Sequence, residues 1–180
     1  MHPWHDVEVD EARVEDVVPA IVEIPKGSKA KYELDKASGL LRLDRVLHGA
    51  VHYPADYGFV PRTFCDDGDP LDILVVSQEA VVPLTLVAAR LLGVMRMRDE
   101  KGIDDKLIAV SARDPAFADC RVLGDLPAYL LLEMKRFFLD YKVLERKQVL
   151  VEDPLGRDEA VRILREALAS WRASFGGRSG

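Results

Sequence analysis

The sequence predicts an α+β fold that is mainly β, a small β-barrel or strongly curved sheet with two helices packed outside it. Short alternating runs, separated by turns rich in Gly, Pro and Ser, occupy the chain up to about residue 111. Two stretches with helical periodicity follow. The 180 residues fit a single domain, 1–180, with a sizeable core. Within it we expect an N-terminal surface segment, 1–18, and a flexible tail, 176–180.

The first predicted strands are 20–25, 31–35 and 40–47, which tight turns at Gly27 and Gly39 connect. We therefore expect an antiparallel meander. The two-residue alternation of the second strand places Lys31 and Glu33 on the same face.

The middle of the chain combines apolar runs with two acidic turns. Residues 73–76 predict a buried strand, 84–97 one or two bent strands and 107–111 another strand. The segments 64–72 and 99–105 predict acidic turns. Pro and Gly interrupt the aromatic-rich segment between residues 52 and 61, so no long element is expected there.

The last third of the chain predicts two amphipathic helices. Leu130, Met134, Phe137 and Tyr141 recur at helical spacing within 127–145. A short strand is expected at 148–151. Apolar positions from Val161 to Trp171 mark the second helix.

Composition excludes several classes of protein. A net charge of −6 and a pI near 5.3 argue against a general nucleic-acid binder, which needs a basic face. Two cysteines form neither a zinc pattern nor a disulfide framework. No apolar run approaches the length of a membrane span, and the N-terminus lacks the features of a secretion signal. These observations predict a cytoplasmic protein.

The sequence from Asp67 to Asp72, Asp-Gly-Asp-Pro-Leu-Asp, places three carboxylates on one short turn. Because such groups repel one another, a fold holds them together by a cation or by protonation. Oxygen ligands suit hard cations such as Mg²⁺, Mn²⁺ or Ca²⁺. A solvated acidic turn without a metal is the alternative.

Basic and aromatic residues are interleaved with these acids along the chain. Lys and Arg beside metal-binding carboxylates are the composition that a metal–phosphate site requires. Each of these residues, taken singly, could instead have an ordinary structural role. Lys31 and Glu33 could form a surface ion pair, and Tyr141 could be a core residue.

The motifs together resemble the family I soluble inorganic pyrophosphatases, in the short prokaryotic form. The hexapeptide 67–72 is similar to the family signature, and further similar segments follow in the family's order over about 18–175. They are 23–28, 31–33, 44–45, 53–58, 99–106 and 137–142.

This resemblance implies a closed five-stranded OB-like barrel and hydrolysis of pyrophosphate to two orthophosphates. A water bridging two metals and activated by them would attack directly and in line, with Asp69 as the general base. Several Mg²⁺ ions per site are implied, with Mn²⁺ or other divalent ions as possible substitutes. A homohexamer is also implied.

The resemblance also assigns roles by position. The metal ligands would be Asp67, Asp72, Asp99, Asp104 and Glu33. The phosphates would be bound by Lys31, Arg45, Tyr57, Lys106, Tyr141 and Lys142. Glu23 and Tyr53 match supporting positions.

Two rival functions stand beside this one. An OB-fold module without enzymatic activity would bind single-stranded nucleic acid on one face, against which the acidic pI counts. A metal-dependent phosphohydrolase could instead act on nucleotides or phosphomonoesters, but no base-stacking pocket is evident. The manganese-preferring pyrophosphatases are disfavoured because the chain lacks an Asp-His-His motif, and the membrane-bound type because it lacks spans.

Overall fold

The computed structural model describes residues 1–99, 102–146 and 149–177, without the side chain of Asp99. Its strands are β1 (Val18–Ile24), β2 (Ala30–Leu34), β3 (Leu41–Val46), β4 (Asp56–Phe59), β5 (Asp72–Val76), β6 (Leu86–Asp99), β7 (Gly102–Ser111), β8 (Leu150–Val151) and β9 (Leu155–Gly156). Its helices are α1 (Ala128–Asp140) and α2 (Arg157–Phe175), with short 3₁₀ turns at Pro115–Phe117, Leu123–Asp125 and Val143–Glu145.

Five strands close into a ring in the order β1–β4–β5–β7–β6, and β6 returns to β1. The neighbours are antiparallel except β5 and β7, which run parallel. The closing pair places Val18 opposite Ala89 and Ile21 opposite Leu86. A mainly β fold with a five-stranded ring and two helices is thereby confirmed.

The predicted meander of the first three strands is wrong. β2 and β3 form an antiparallel hairpin, but β1 pairs with β4 on one edge and with β6 on the other. After β1 the chain turns at Gly27, whose φ is +82° and whose N–H donates to the carbonyl of Tyr53. Because both edges of β1 are occupied, the β2–β3 hairpin is a separate two-stranded sheet.

The middle of the chain contains more strand than the sequence indicated. The segment expected to lack a long element contains β4, whose four residues are all buried. β6 is one strand, with a register shift between Leu91 and Gly93 that accounts for the predicted bend. The second acidic turn was predicted too long, because β6 and β7 pair as far as Asp99 opposite Gly102.

The C-terminal elements agree in type but differ in extent. α1 ends at Asp140 with Tyr141 as its C-cap, so the predicted end at residue 145 is wrong. α2 extends to Phe175, beyond the last residue of the predicted periodicity. Of the strand predicted at 148–151, Leu150 and Val151 form β8, while Gln148 lies outside the described residues.

The side chains of β5 pack alternately into two hydrophobic clusters of the core. Ile73 and Val75 pack in the cluster that contains the apolar face of α2, whereas Leu74 and Val76 pack with the aromatic face of α1. In the part of the chain described here, neither helix is long and apolar enough to cross a membrane.

Candidate active site

A cavity of about 640 Å³ lies between the β2–β3 hairpin, the acidic turn, the first residues of β5, the N-terminal half of β7 and the end of α1. It is lined by twelve of the fourteen residues that the resemblance assigns to a site. These are Glu23, Lys31, Glu33, Arg45, Tyr57, Asp67, Asp69, Asp72, Asp104, Lys106, Tyr141 and Lys142. The side chain of Asp99 lies outside the described residues, and Tyr53 does not line the cavity.

The buried ammonium of Lys106 forms the centre of the cavity floor. Parallel pairing of β5 with β7 sets Asp72 opposite Lys106. The Lys106 Nζ lies 2.6 Å from Asp72 Oδ2 and 2.9 Å from Asp104 Oδ1. It also donates to the hydroxyl of Tyr57 at 3.0 Å, and that hydroxyl donates to Asp72 at 2.5 Å. Three polar groups, one from each of three strands of the ring, thus meet around one cation.

Electrostatics keep this lysine charged. Burial opposes the charge, yet the neighbouring Asp72, Tyr57 and Asp104 hold the pKa of Lys106 well above its ordinary value. Burial, reinforced by Asp72, raises the pKa of the Tyr57 phenol. At neutral pH the floor therefore presents an ammonium and a neutral phenol.

Glu23 is a buried carboxyl that also lines the cavity. Burial and the charge of Asp72 raise its pKa to about 8, so it is largely protonated at neutral pH. Its Oε1 accepts the N–H of Leu34 at 2.7 Å. This bond joins β1 to the end of β2, which fits a supporting position.

The acidic turn is held by its own backbone and by one lysine. Gly68 adopts a φ of +86°, which a side chain would disfavour, and the N–H of Asp69 donates to Asp67 Oδ1 at 3.0 Å. The Nζ of Lys36 lies 2.5 Å from Asp69 Oδ1 and donates to the carbonyl of Gly68 at 2.9 Å. Lys36 lines the cavity, but its place there is not predictable from the sequence alone, because no spacing links residue 36 to the acidic turn.

The β2–β3 hairpin contributes ion pairs to the opposite wall. Lys31 pairs with Glu33 and, at 3.2 Å, with Asp44. Arg45 pairs with Asp44 and donates from Nε to Glu145 Oε1 at 2.7 Å. Glu145 was also missed, because it lies 100 residues away in sequence and after the end of α1.

Aromatic packing positions the last wall. The Tyr141 ring stacks on Phe137 with a centroid distance of 5.4 Å, and the Nζ of Lys142 lies 5.3 Å from the Tyr141 ring. Tyr53 packs between Tyr57 and Phe137, at centroid distances of 5.3 and 4.7 Å. Tyr53 therefore supports the wall from behind.

The donor set fits hard divalent cations, because its acidic groups are all carboxylates. Among the described side chains, however, no three potential ligands converge as a metal would require. Lys106 lies between Asp72 and Asp104, and Lys36 and Lys31 pair with Asp69 and Glu33. Shifts of these lysines would let the same carboxylates bind a cation.

Asp105 belongs to a different cluster. It accepts two bonds from Arg96, at 2.9 Å from Nε and 3.1 Å from Nη2. Arg96 also approaches Glu159 of α2 at 3.8 Å. Asp105 therefore links β7 to β6 and α2 and is not a cavity residue.

Comparisons with known proteins agree with this geometry. The profile of a family described as inorganic pyrophosphatase matches residues 20–172. Soluble inorganic pyrophosphatase 2 of Chlamydomonas reinhardtii is 48% identical over 174 residues, covering 97% of this chain and 90% of that protein. The soluble inorganic pyrophosphatase of Oryza sativa subsp. indica is 48% identical over 167 residues, covering 93% and 78%.

Solved structures show the same similarity. The inorganic pyrophosphatase of Thermus thermophilus superposes with a TM-score of 0.88 at 41% identity, covering 92% of this chain and 97% of that chain. That of Helicobacter pylori gives 0.87 at 43% identity, covering 93% and 99%. With the family profile covering most of its length, this chain belongs to the family I inorganic pyrophosphatases.

Proposed function

We propose that this chain hydrolyses inorganic pyrophosphate to two orthophosphates in a reaction that depends on divalent cations, Mg²⁺ first among them. The observation that supports it best is the cavity itself, where carboxylates from the acidic turn and β7 face Lys and Arg residues from three sides. A small, highly charged anion fits such a cavity better than a nucleoside does, because little apolar surface is available for a base.

The carboxylates of Asp67, Asp72, Asp104 and Glu33 would hold the cations, and we assign Asp99 to the same group by its position in the sequence. Bound divalent ions would neutralise phosphoryl oxygens and make a water nucleophilic near neutral pH. Mn²⁺ or another divalent ion could substitute, since the ligands are all oxygen atoms.

The cationic and phenolic groups would bind the two phosphoryl groups. Lys106 and Tyr57 approach from the floor, Lys31 and Arg45 from the hairpin, and Tyr141 and Lys142 from the end of α1. Charge-assisted bonds from these donors would stabilise negative charge on both phosphates, including the leaving group. Glu23, from the lining of the cavity, and Tyr53, from behind it, would support this arrangement.

Asp69 is the proposed general base. It lines the cavity and lies between Asp67 and Asp72 in the sequence. Its Oδ1 is 2.5 Å from the Nζ of Lys36. A carboxylate on a rigid turn can accept a proton from an attacking water without a covalent intermediate. Release of the Lys36 pair would make that oxygen available.

Phosphate release tests this proposal in wild type, Asp69→Asn and the control Asp66→Asn, which alters the same turn outside the cavity lining. We expect fast release with Mg²⁺, none with excess chelator, and a drop of about 10²- to 10⁴-fold in kcat for Asp69→Asn alone. An active Asp69→Asn would overturn that role. Preference for ATP or a phosphomonoester over pyrophosphate would overturn the substrate.

We further propose that the protein forms a homohexamer, as the family resemblance implies. Its acidic composition and the absence of an apolar run of membrane-span length favour a cytoplasmic protein without nucleic acid or membrane as partner. Sedimentation velocity at several concentrations tests the assembly. A monomeric mass at micromolar protein would contradict it.

A further inference from the structure

The wall of the cavity that carries Arg45 is not joined to the ring by strand pairing. In the described part of the chain, β2 and β3 pair with each other and with no other strand. The position of Arg45 relative to Lys106 and Tyr141 is therefore set by contacts outside the strand ladder. Any residue that ties Arg45 to the body of the molecule consequently affects the shape of the cavity.

Glu145 provides such a tie. It is the last residue of the 3₁₀ turn Val143–Glu145, four positions after Tyr141, and its N–H donates to the carbonyl of Lys142 at 3.0 Å. Its Oε1 accepts from Arg45 Nε at 2.7 Å. The two side chains are only 16% and 30% exposed, so water shields this pair less than an ordinary surface pair.

The bond restricts the guanidinium in a specific way. A guanidinium is planar and carries five N–H donors in a fixed fork. With Nε bound to Glu145 and Nη1 to Asp44, two separate carboxylates define the plane of the Arg45 fork. Glu145 is not among the residues that line the cavity, and its carboxylate bonds to Arg45.

We infer that Glu145 is a positioning residue that orients Arg45 toward the substrate by tying the β2–β3 hairpin to the end of α1. The inference rests on the proposed function, in which Arg45 binds a phosphoryl group. A carboxylate that competed with phosphate for the same arginine would have the opposite effect on substrate binding. The sign of the change in KM when Glu145 is replaced therefore distinguishes the two roles.

Steady-state kinetics with Mg²⁺ and pyrophosphate would separate them in Glu145→Ala and Glu145→Gln. We expect KM to rise about tenfold in Glu145→Ala, with kcat changed less than about threefold, because a bond to a charged group is lost from the positioning of Arg45. Glu145→Gln keeps an acceptor oxygen at the same reach and should recover part of the loss. Calorimetric binding of methylene diphosphonate with Mg²⁺ should weaken in the same order.

A double-mutant cycle tests whether Glu145 affects KM through Arg45. In Arg45→Lys the Nε donor and the planar fork are absent, so adding Glu145→Ala should change KM by less than about twofold. The control is Asp153→Ala, which removes an acid paired with Lys135 of α1 outside the cavity lining. Thermal unfolding checks that each variant is folded.

Each outcome decides between the alternatives. An unchanged or lowered KM in Glu145→Ala, with an active wild type, would overturn the positioning role and leave the proposed function intact. A KM increase that persists in the Arg45→Lys background would show that Glu145 acts through another group. A folded wild type that releases no phosphate would overturn the proposed function, and the inference with it.

Discussion

At the scale of single residues, two-residue alternation along β7 separates chemically similar neighbours. Asp104 and Lys106 face the cavity, whereas Asp105 between them pairs with Arg96 on the other side. Three consecutive charged residues therefore serve two clusters. Lys106 has the most constrained position of the three, because its side chain is only 3% exposed and its ammonium pairs with both Asp72 and Asp104.

Lys106→Met tests this arrangement through stability. Without the ammonium, two partly buried carboxylates lose their shared counterion, and we expect a loss of about 2 kcal/mol in the free energy of unfolding in chelator. Mg²⁺ should reduce the loss, because a divalent ion can replace the missing charge. Urea unfolding with chelator and with Mg²⁺ measures both values.

The control for this prediction is Lys135→Met, which removes an exposed pairing with Asp153 and should cost less than about 0.5 kcal/mol in either condition. An equal loss with chelator and with Mg²⁺ in Lys106→Met would contradict metal binding by Asp72 and Asp104.

At the scale of elements, the ring depends on one close approach between β4 and β1. A Cβ on Gly58 would lie 1.8 Å from the carbonyl oxygen of Ile21 and 2.8 Å from the Cα of Val22. Both are backbone atoms of β1, so they cannot move without disturbing the ladder. The same strand carries Tyr57 to the cavity floor, so packing and site geometry are linked at this pair.

Gly58→Ala should therefore destabilise the fold by at least about 3 kcal/mol, because overpacking here displaces paired backbone. Gly124→Ala is the matched control: a Cβ there meets nothing within 4 Å, and a change below about 0.5 kcal/mol is expected. Urea unfolding gives both values. A Gly58→Ala protein as stable as the control would show that β1 and β4 are not held this closely.

At the scale of the whole molecule, the N-terminal segment and the end of α2 meet in one aromatic cluster. Trp4 is 3% exposed, lies 5.5 Å from Phe175 between ring centroids, and donates from Nε1 to the carbonyl of Thr63 at 2.7 Å. It also lines the cavity. Residues far apart in the chain are thus joined beside the site, which supports our proposal of a single domain spanning 1–180.

Trp4→Ala should lower the free energy of unfolding by about 3 kcal/mol, because a large buried ring and its N–H bond are lost. If the chain is one domain, the loss should shift a single cooperative transition. The exposed aromatic Tyr129 provides the control, since Tyr129→Ala removes little buried area. A second transition, with the first unchanged, would contradict the single domain.

Local patterns in the sequence determined the element types, because alternation and helical periodicity are properties of neighbouring residues. They identified the buried strand β5, bent strand structure in the region of β6 and both helices. Ordered motifs along the chain also indicated the family, which the comparisons confirm. The residues of the candidate site were predicted from those motifs, while their roles stay proposals.

Only the tertiary structure decided which strands pair and which charges meet. The closure of β1 on β6, and the exclusion of the β2–β3 hairpin from the ring, depend on competition for strand edges that no local pattern encodes. The pairs of Lys36 with Asp69 and of Arg45 with Glu145 join residues about 30 and 100 positions apart. Such contacts arise from the path of the whole chain, so the acids of the site were predictable from the sequence, whereas Lys36 and Glu145, which hold it together, were not.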